Sequence, residues 1–375
     1  MKKLVIKNLG SLKEASIDLC KVNVIIGSQS SGKSCVLKTA AHCAWVQKRI
    51  ELEQSPAWFS KGKAFITGLA TFHRLTGYIR KSTFIAWESD FMKFSYDNST
   101  HTFNFEWKDG RFDYLRSKIA YIPSERNLVA AIPNWYEVEF ANDNIREFLI
   151  EWENARKAYT CGLGVLNLGV SYEYGEATRV DYVKLKGKKR LNIANASSGL
   201  QSLIPLYVYI DYLVNRHFES NTESWKQSLA KLHLNDTLRA SISESLRGSS
   251  DDLERLYAVQ SSEGSLDELY AHYTQTHHAE LFLEEPENNL FPPTQCQLAD
   301  WLIEKTKGDQ GCTLFAATHS PYFLTSFLEK NLEELSLFLI ATDNGGSVVK
   351  TASGGDIQEI YDKGVDAFFN IESYT

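Results

Sequence analysis

The sequence predicts an α/β protein with a mostly parallel core sheet, an antiparallel β-lobe, and a helical lobe carrying an inserted helical subdomain. Three observations lead there. First, Val22-Asn23-Val24-Ile25-Ile26 runs into Gly27, and Gly32-Lys33-Ser34 closes the pattern G-x-x-x-x-G-K-[ST] ahead of an apolar helix. Second, residues 281–283 and 314–317 are short apolar runs of the kind buried on both faces of a parallel sheet, and each ends in polar residues. Third, residues 84–107 form short runs of strand residues separated by turn residues.

The loop from Gly27 to Ser34 has the most specific chemistry. A strand ending at Gly27 and a helix starting near Lys33 would aim the backbone N–H groups of Ser28, Gln29, Ser30, Ser31 and Gly32 at a phosphate. The helix dipole favours an anion at the same place. Lys33 would reach the β- and γ-phosphates, and the Ser34 hydroxyl would ligate magnesium. A Cβ at either glycine would obstruct the turn. A nucleoside triphosphate site is therefore expected here.

Composition sets outer bounds. The chain has 375 residues, enough for one large domain or two, with 43% hydrophobic and 23% charged residues, as in ordinary globular proteins. A formal charge of −7 and a pI near 5.8 give no global reason to expect nucleic-acid binding. The six cysteines are scattered without a C-x-x-C pair, which suggests reduced thiols in a cytoplasmic protein and neither a disulfide framework nor a zinc site. The apolar runs are too short to span a bilayer, and the N-terminus turns polar too soon for a signal peptide, so no membrane partner is expected.

Taken in order, Leu4–Ile6 and Ala15–Leu19 predict a strand pair leading into the Val22 strand. The helix after the phosphate loop should run to about Glu53, and from Ala64 to Trp107 the pattern turns to short strands. Lys118–Ile122 predicts a strand ended by Pro123, which places the polar tetrad Ser124-Glu125-Arg126-Asn127 within reach of a ligand. Residues 141–159 predict a helix, and 168–193 predict hairpins, one tipped by the cation-rich stretch from Lys184 to Arg190, a candidate contact for nucleic acid. Ala196-Ser197-Ser198-Gly199-Leu200-Gln201-Ser202 is a small, hydroxyl-rich loop opening the helix Leu203–Val214, a second anion-binding arrangement. Residues 216–277 are polar and helical in pattern. Glu284 and Glu285 then end one buried strand, and His319 ends another. Paired carboxylates there suit a magnesium shell and activation of water, and the histidine suits contact with a γ-phosphate. Two closing strands and a short helical tail follow.

These elements, in this order, resemble the ATP-binding-cassette (ABC) ATPase head, a P-loop NTPase fold. Within that superfamily the opening Leu-Val-Ile-Lys-Asn-Leu-Gly, Glu-Glu-Pro-Glu-Asn-Asn-Leu and Thr-His-Ser-Pro-Tyr-Phe-Leu resemble the soluble branch of SMC, RecF and overcoming-lysogenization-defect (OLD) ATPases. Many of that branch serve bacterial anti-phage systems. The resemblance makes Gly27–Ser34 Walker A, puts Glu284 in place of the Walker B aspartate, makes Glu285 the catalytic glutamate and His319 the switch histidine. Ser198, Gly199 and Gln201 correspond to the signature loop that completes a partner's site, although Leu200 replaces the usual second glycine. Glu125 and Arg126 fall at the Q-loop position, where the family has Gln. No long heptad arm is present, and the segment after His319 is short for an OLD-type nuclease domain.

The resemblance thus implies an ATP- and Mg²⁺-dependent switch that hydrolyses ATP, forms a homodimer or higher homo-oligomer, and controls a separately encoded effector such as a nuclease or toxin. The alternative is a RecF-like DNA-binding ATPase using the Lys184–Arg190 hairpin. Expected divisions are a nucleotide-binding lobe over 1–133, a lobe with the signature loop over 134–215, a helical, partner-docking insertion over 216–277, and a return to the ATPase core over 278–375.

Overall fold

The computed structural model describes residues 2–132, 134–187, 190–216, 275–308, 311–330, 333–343 and 345–370. Almost all of the expected helical insertion, 216–277, lies outside the described residues, as do Lys188 and Lys189 of the cationic hairpin.

Eleven strands form one continuous sheet. Its centre is parallel: β3 (Val22–Gly27) lies between β14 (Leu335–Asp343) and β13 (Thr313–Ala317), followed by β12 (His278–Glu284) and β7 (Ser117–Ile122). The side chains alternate between two cores, as a period of two requires. Val22, Val24, Leu281, Leu283, Leu314 and Leu337 face one core, and Ile25, Phe282, Phe315 and Phe338 face the other. Burial on both faces is the reason these strands read as unbroken apolar runs.

On the other side of β14 the sheet continues through β15 (Gly346–Thr351) into β2 (Leu12–Leu19), β1 (Lys2–Leu9), β4 (Ile79–Glu88), β5 (Met92–Asp97) and β6 (Thr102–Trp107). The run from β2 to β6 is antiparallel throughout. The β-lobe is thus hydrogen-bonded into the core sheet through β1–β4 and β2–β15 pairing. A separate four-stranded sheet contains β8 (Leu163–Val165), β9 (Val170–Gly175), β10 (Val180–Lys184) and β11 (Arg190–Asn192).

Helix α1 (Lys33–Glu53) packs on one face of the parallel strands. Residues 64–72 correct the reading of short strands from Ala64: they form helix α2 (Ala64–Phe72). Phe65, Ile66, Leu69 and Ala70 are its buried positions, a helical spacing. After the short helix α3 (Leu128–Ala131), α4 (Asn144–Lys157) starts at Asp143, whose carboxylate accepts from the N–H groups of Ile145 and Arg146. Helix α5 (Ser198–Asn215) begins earlier than expected, so Ser198 to Ser202 form its first turn and not a loop. Helices α6 (Pro292–Thr306) and α7 (Pro321–Glu329) follow β12 and β13, and α8 (Gly354–Lys363) and α9 (Val365–Phe369) form the tail.

Candidate nucleotide site

The C-terminal ends of β3, β12 and β13 bring the predicted residues to one edge of the sheet. Two backbone bonds tie these ends together: Thr318 N–H donates to Ile25 O at 3.1 Å, and Glu285 N–H donates to Ala317 O at 2.9 Å. Residues far apart in sequence thereby meet at the loop after β3.

That loop has the geometry its glycines demand. A Cβ on Gly27 would stand 2.9 Å from Ser31 Oγ and 3.0 Å from the backbone oxygen of Ile340. Gly32 has φ +112°, a conformation costly for any side chain. Ser28, Gln29 and Ser30 are exposed, Ser31 is buried, and Ser34 is half-buried in the first turn of α1. The helix N-terminus has neither a capping side chain nor an acidic residue in its first turn. By contrast Asp143, Ser320 and Ser353 cap α4, α7 and α8. An uncapped N-terminus leaves N–H groups and the positive end of the dipole available to an anion.

Lys33 folds into this loop, with its ammonium donating to Gly27 O at 2.9 Å and Ser28 O at 2.7 Å. Burial pushes the ammonium down to about 8, while Glu285 and Glu287 draw it upward.

Glu284 and Glu285 occupy different environments although they are adjacent. Glu284 is buried; the Tyr121 hydroxyl donates to its Oε2 at 2.5 Å, and Lys38 Nζ lies 3.9 Å from its Oε1. Glu285 is half-exposed and has φ +44°, a strained conformation for a residue with a Cβ, costing about 1–2 kcal/mol. Burial and the neighbouring Glu284 hold its carboxyl above the usual range, against the pull of Lys33 and Arg126. Its Oε1 lies 3.7 Å from His319 Nε2. Burial and the Lys33 charge hold His319 below the usual imidazole range, so the ring is neutral at pH 7. A carboxylate biased toward proton uptake beside a neutral imidazole is suited to general-base chemistry.

The donor set suits a magnesium ion: the Ser34 hydroxyl and the Glu284 carboxylate are hard oxygen ligands, and Mg²⁺ takes one or two protein oxygens with water and substrate phosphates. Among the described residues no cluster of three or more His, Cys, Asp or Glu side chains offers another metal site.

Arg126 is fully buried, and its guanidinium is spent on backbone carbonyls. Its guanidinium donates to five carbonyls: Ser202 through Nε, Pro123 and Glu284 through Nη1, and Glu285 and Pro286 through Nη2. These bonds match the donor capacity of the group. The side chain clamps the turn after β12 to the start of α5. Glu125, by contrast, is exposed and lies 3.6 Å from the Arg74 guanidinium.

The start of α5 docks on that same turn. Asn289 Nδ2 donates to Ser202 Oγ at 2.8 Å, and a Cβ on Gly199 would lie 3.1 Å from Asn289 O. The Gln201 amide reaches back to the carbonyls of Ile193, Ala194 and Ala196. Ser198 is exposed, and the α5 N-terminus likewise has no capping side-chain bond and no acid in its first turn.

Three contributors escaped sequence reasoning. Tyr121 holds Glu284. Lys38, one turn past the loop, stands near the same carboxylate. Glu287 is buried and accepts the His319 N–H at 2.7 Å, fixing the backbone that carries the histidine. The alternation Glu285-Pro-Glu287 was the available signal for the last. At the cationic hairpin, Lys184 and Arg190 both pair with Glu173, and Arg190 also stacks 3.6 Å above the Tyr182 ring.

No protein-family model matches the sequence, and no curated protein matches it. Solved structures are similar over nearly the whole chain at low identity. The SMC head domain from Thermotoga maritima is 12% identical, with 94% of this chain and 98% of that one covered and a TM-score of 0.42. The Smc head domain with a coiled coil and joint from Pyrococcus yayanosii is 10% identical over 97% and 99%, with a TM-score of 0.45. An ATP-binding cassette of an ABC transporter is 11% identical over 98% and 99%, with a TM-score of 0.35. The chain has an α/β fold, with a strand–loop–helix unit at 22–53 in a parallel sheet extended by antiparallel strands.

Proposed function

We propose that the protein is an ATP-binding and ATP-hydrolysing switch of the ABC type. The carrying observation is the uncapped N-terminus of α1, entered through Gly27 and Gly32, with Lys33, Glu284, Glu285 and His319 gathered around it. Each has a role in phosphoryl transfer to water. The loop N–H groups and Lys33 bind the β- and γ-phosphates. Ser34 and Glu284 would hold Mg²⁺, which when bound neutralises charge developing on the phosphates. Glu285 orients water and takes its proton, and His319 senses the γ-phosphate.

Ser198 and Gly199 head an exposed helix N-terminus that suits the γ-phosphate bound by a second copy, giving a homodimer or larger homo-oligomer that closes around ATP. The divisions 1–133, 134–215, 216–277 and 278–375 are the corresponding lobes, with 216–277 the segment available to a partner. The resemblance to the SMC, RecF and OLD branch supports control of a separately encoded nuclease or toxin in anti-phage defence, in the cytoplasm.

Light scattering with and without ATP·Mg²⁺, run beside a phosphate-release assay, tests the core of this reading. Glu285→Gln should retain ATP binding, lose hydrolysis by at least about a hundredfold and accumulate as the ATP-bound assembly. Unchanged hydrolysis in this variant would remove Glu285 from its role. A mass indifferent to ATP in both proteins would remove the composite site.

A further inference from the structure

Helix α1 also walls a second recess, which opens between α1, α2, β7 and α4 and has a volume of about 380 Å³. It is lined from Ala41 to Glu53 on α1. A rise of about 1.5 Å per residue puts those positions roughly 12 to 30 Å along the helix from Lys33, well apart from the phosphate loop. The volume falls in the range of small-molecule sites.

One wall is aromatic. Trp45, 37% exposed, stacks on His42 with ring centroids 5.7 Å apart, and Phe72 packs on His73 at 4.9 Å. Both histidines are buried, and among the described residues His42 Nε2 and His73 Nδ1 have no hydrogen-bond partner. Burial holds both rings well below the usual imidazole range, so they are neutral polar groups. Gly68 keeps the floor open: a Cβ there would stand 3.3 Å from His42 Cε1. Glycine inside a helix such as α2 is otherwise unfavourable by about 0.5–1 kcal/mol.

Much of the rest of the lining is charged, with Lys48, Arg49 and Lys118 against Glu53 and Glu147, and the Arg49 guanidinium lies 5.6 Å from the Trp45 ring. Arg49 bonds Glu53 at 2.7 Å, and Lys118 bonds Glu151 at 2.7 Å. Lys48 has no hydrogen bond or ion pair among the described residues, although Glu147 and Glu280 attract its charge from farther away. Burial, Arg116 and Lys118 push its ammonium down to about 7, a penalty that an incoming anion would reverse.

We propose that this recess binds a planar aromatic molecule carrying one anionic group, with its ring on Trp45 and Phe72 and its anion on Lys48. The neutral imidazoles of His42 and His73 give the ring polar neighbours without competing for the anion. Tyr121 lines the recess and also bonds Glu284, so one side chain belongs to both this site and the candidate nucleotide site.

Fluorescence titration of the full chain with 8-anilinonaphthalene-1-sulfonate tests this, with the uncharged N-phenyl-1-naphthylamine as the companion probe. The expected result is one saturable sulfonate site per chain. Lys48→Met should weaken it at least tenfold while leaving affinity for the uncharged probe unchanged, and Gly68→Leu should abolish both. Circular dichroism verifies that each variant is folded; should Gly68→Leu unfold, Lys48→Met and the probe pair still decide. Equal sulfonate affinity in wild type and Lys48→Met, or binding without defined stoichiometry, overturns the proposal whether or not the protein hydrolyses ATP.

Discussion

Glu51 and Arg126 are both ionisable side chains placed in the interior, with opposite consequences. Glu51 is fully buried and, among the described residues, its two carboxylate oxygens have no hydrogen-bond partner. Burial pushes its carboxyl up to about 8, against the pull of Arg111. Between about pH 4.5 and 8 the folded chain therefore keeps a proton that the unfolded chain has released. Stability falls as pH rises through that window, and the full cost is present above it. Glu51→Gln should flatten this slope, raising the urea midpoint at pH 8 while changing it little at pH 4. An identical pH profile in the variant would assign the slope to other groups. Arg126 is satisfied instead, with its donors spent on five carbonyls. A buried acceptor left unpaired costs about 1–3 kcal/mol, so Arg126→Met should destabilise the fold by at least about 3 kcal/mol in urea unfolding. Lysine offers fewer donors from a single point, so Arg126→Lys should rescue little of it.

Among the elements, helix termini divide by whether they are capped. Asp143 accepts from Ile145 N–H at 3.1 Å and Arg146 N–H at 3.2 Å, so Asp143→Ala should cost about 1 kcal/mol of stability. That loss should appear as a lower urea midpoint with an unchanged slope. The termini of α1 and α5 have no such acceptor, a feature they share with α2, α3, α6 and α9. At α1 and α5 the N–H groups are left for a ligand, and the stability a cap would add is absent at the two places where the proposed function needs an anion to bind. Among the described residues, three of the nine non-glycine residues at positive φ, Ser30 at +61°, Glu285 at +44° and Asn289 at +61°, lie in the two loops at this edge of the sheet.

For the whole molecule, the parallel strands bring Lys33, Glu284, Glu285 and His319 to one edge of the sheet, and the N-terminus of α5 docks on the turn after β12. If that N-terminus completes the site of another copy, a negative charge on it should repel the γ-phosphate across the interface. Ser198→Asp should therefore abolish the ATP-dependent rise in mass while leaving nucleotide binding to a single chain within about threefold. Equilibrium dialysis with ATP analogues, run beside light scattering, separates the two. Retention of the mass change would place the interface elsewhere.

The local order of the chain is where the sequence was most informative. A β-branched run, a glycine-bracketed loop and an apolar helix announce themselves within about thirty residues, so β3, the loop after it and the full span of α1 were legible as elements, as were the buried strands ending at Glu284 and before His319. Periodicity and turn chemistry act between near neighbours, and they carry the element type. Less was legible at α2, whose buried residues follow a helical spacing within a segment otherwise rich in strand formers. The clamp by Arg126, the hold of Tyr121 on Glu284, and the support of His319 by Glu287 were decided only by the tertiary structure. Each joins side chains and backbone brought together by strand order, across up to 163 positions of sequence. No local pattern records such a pairing, because a buried donor selects whichever acceptor the packed sheet puts within hydrogen-bond reach.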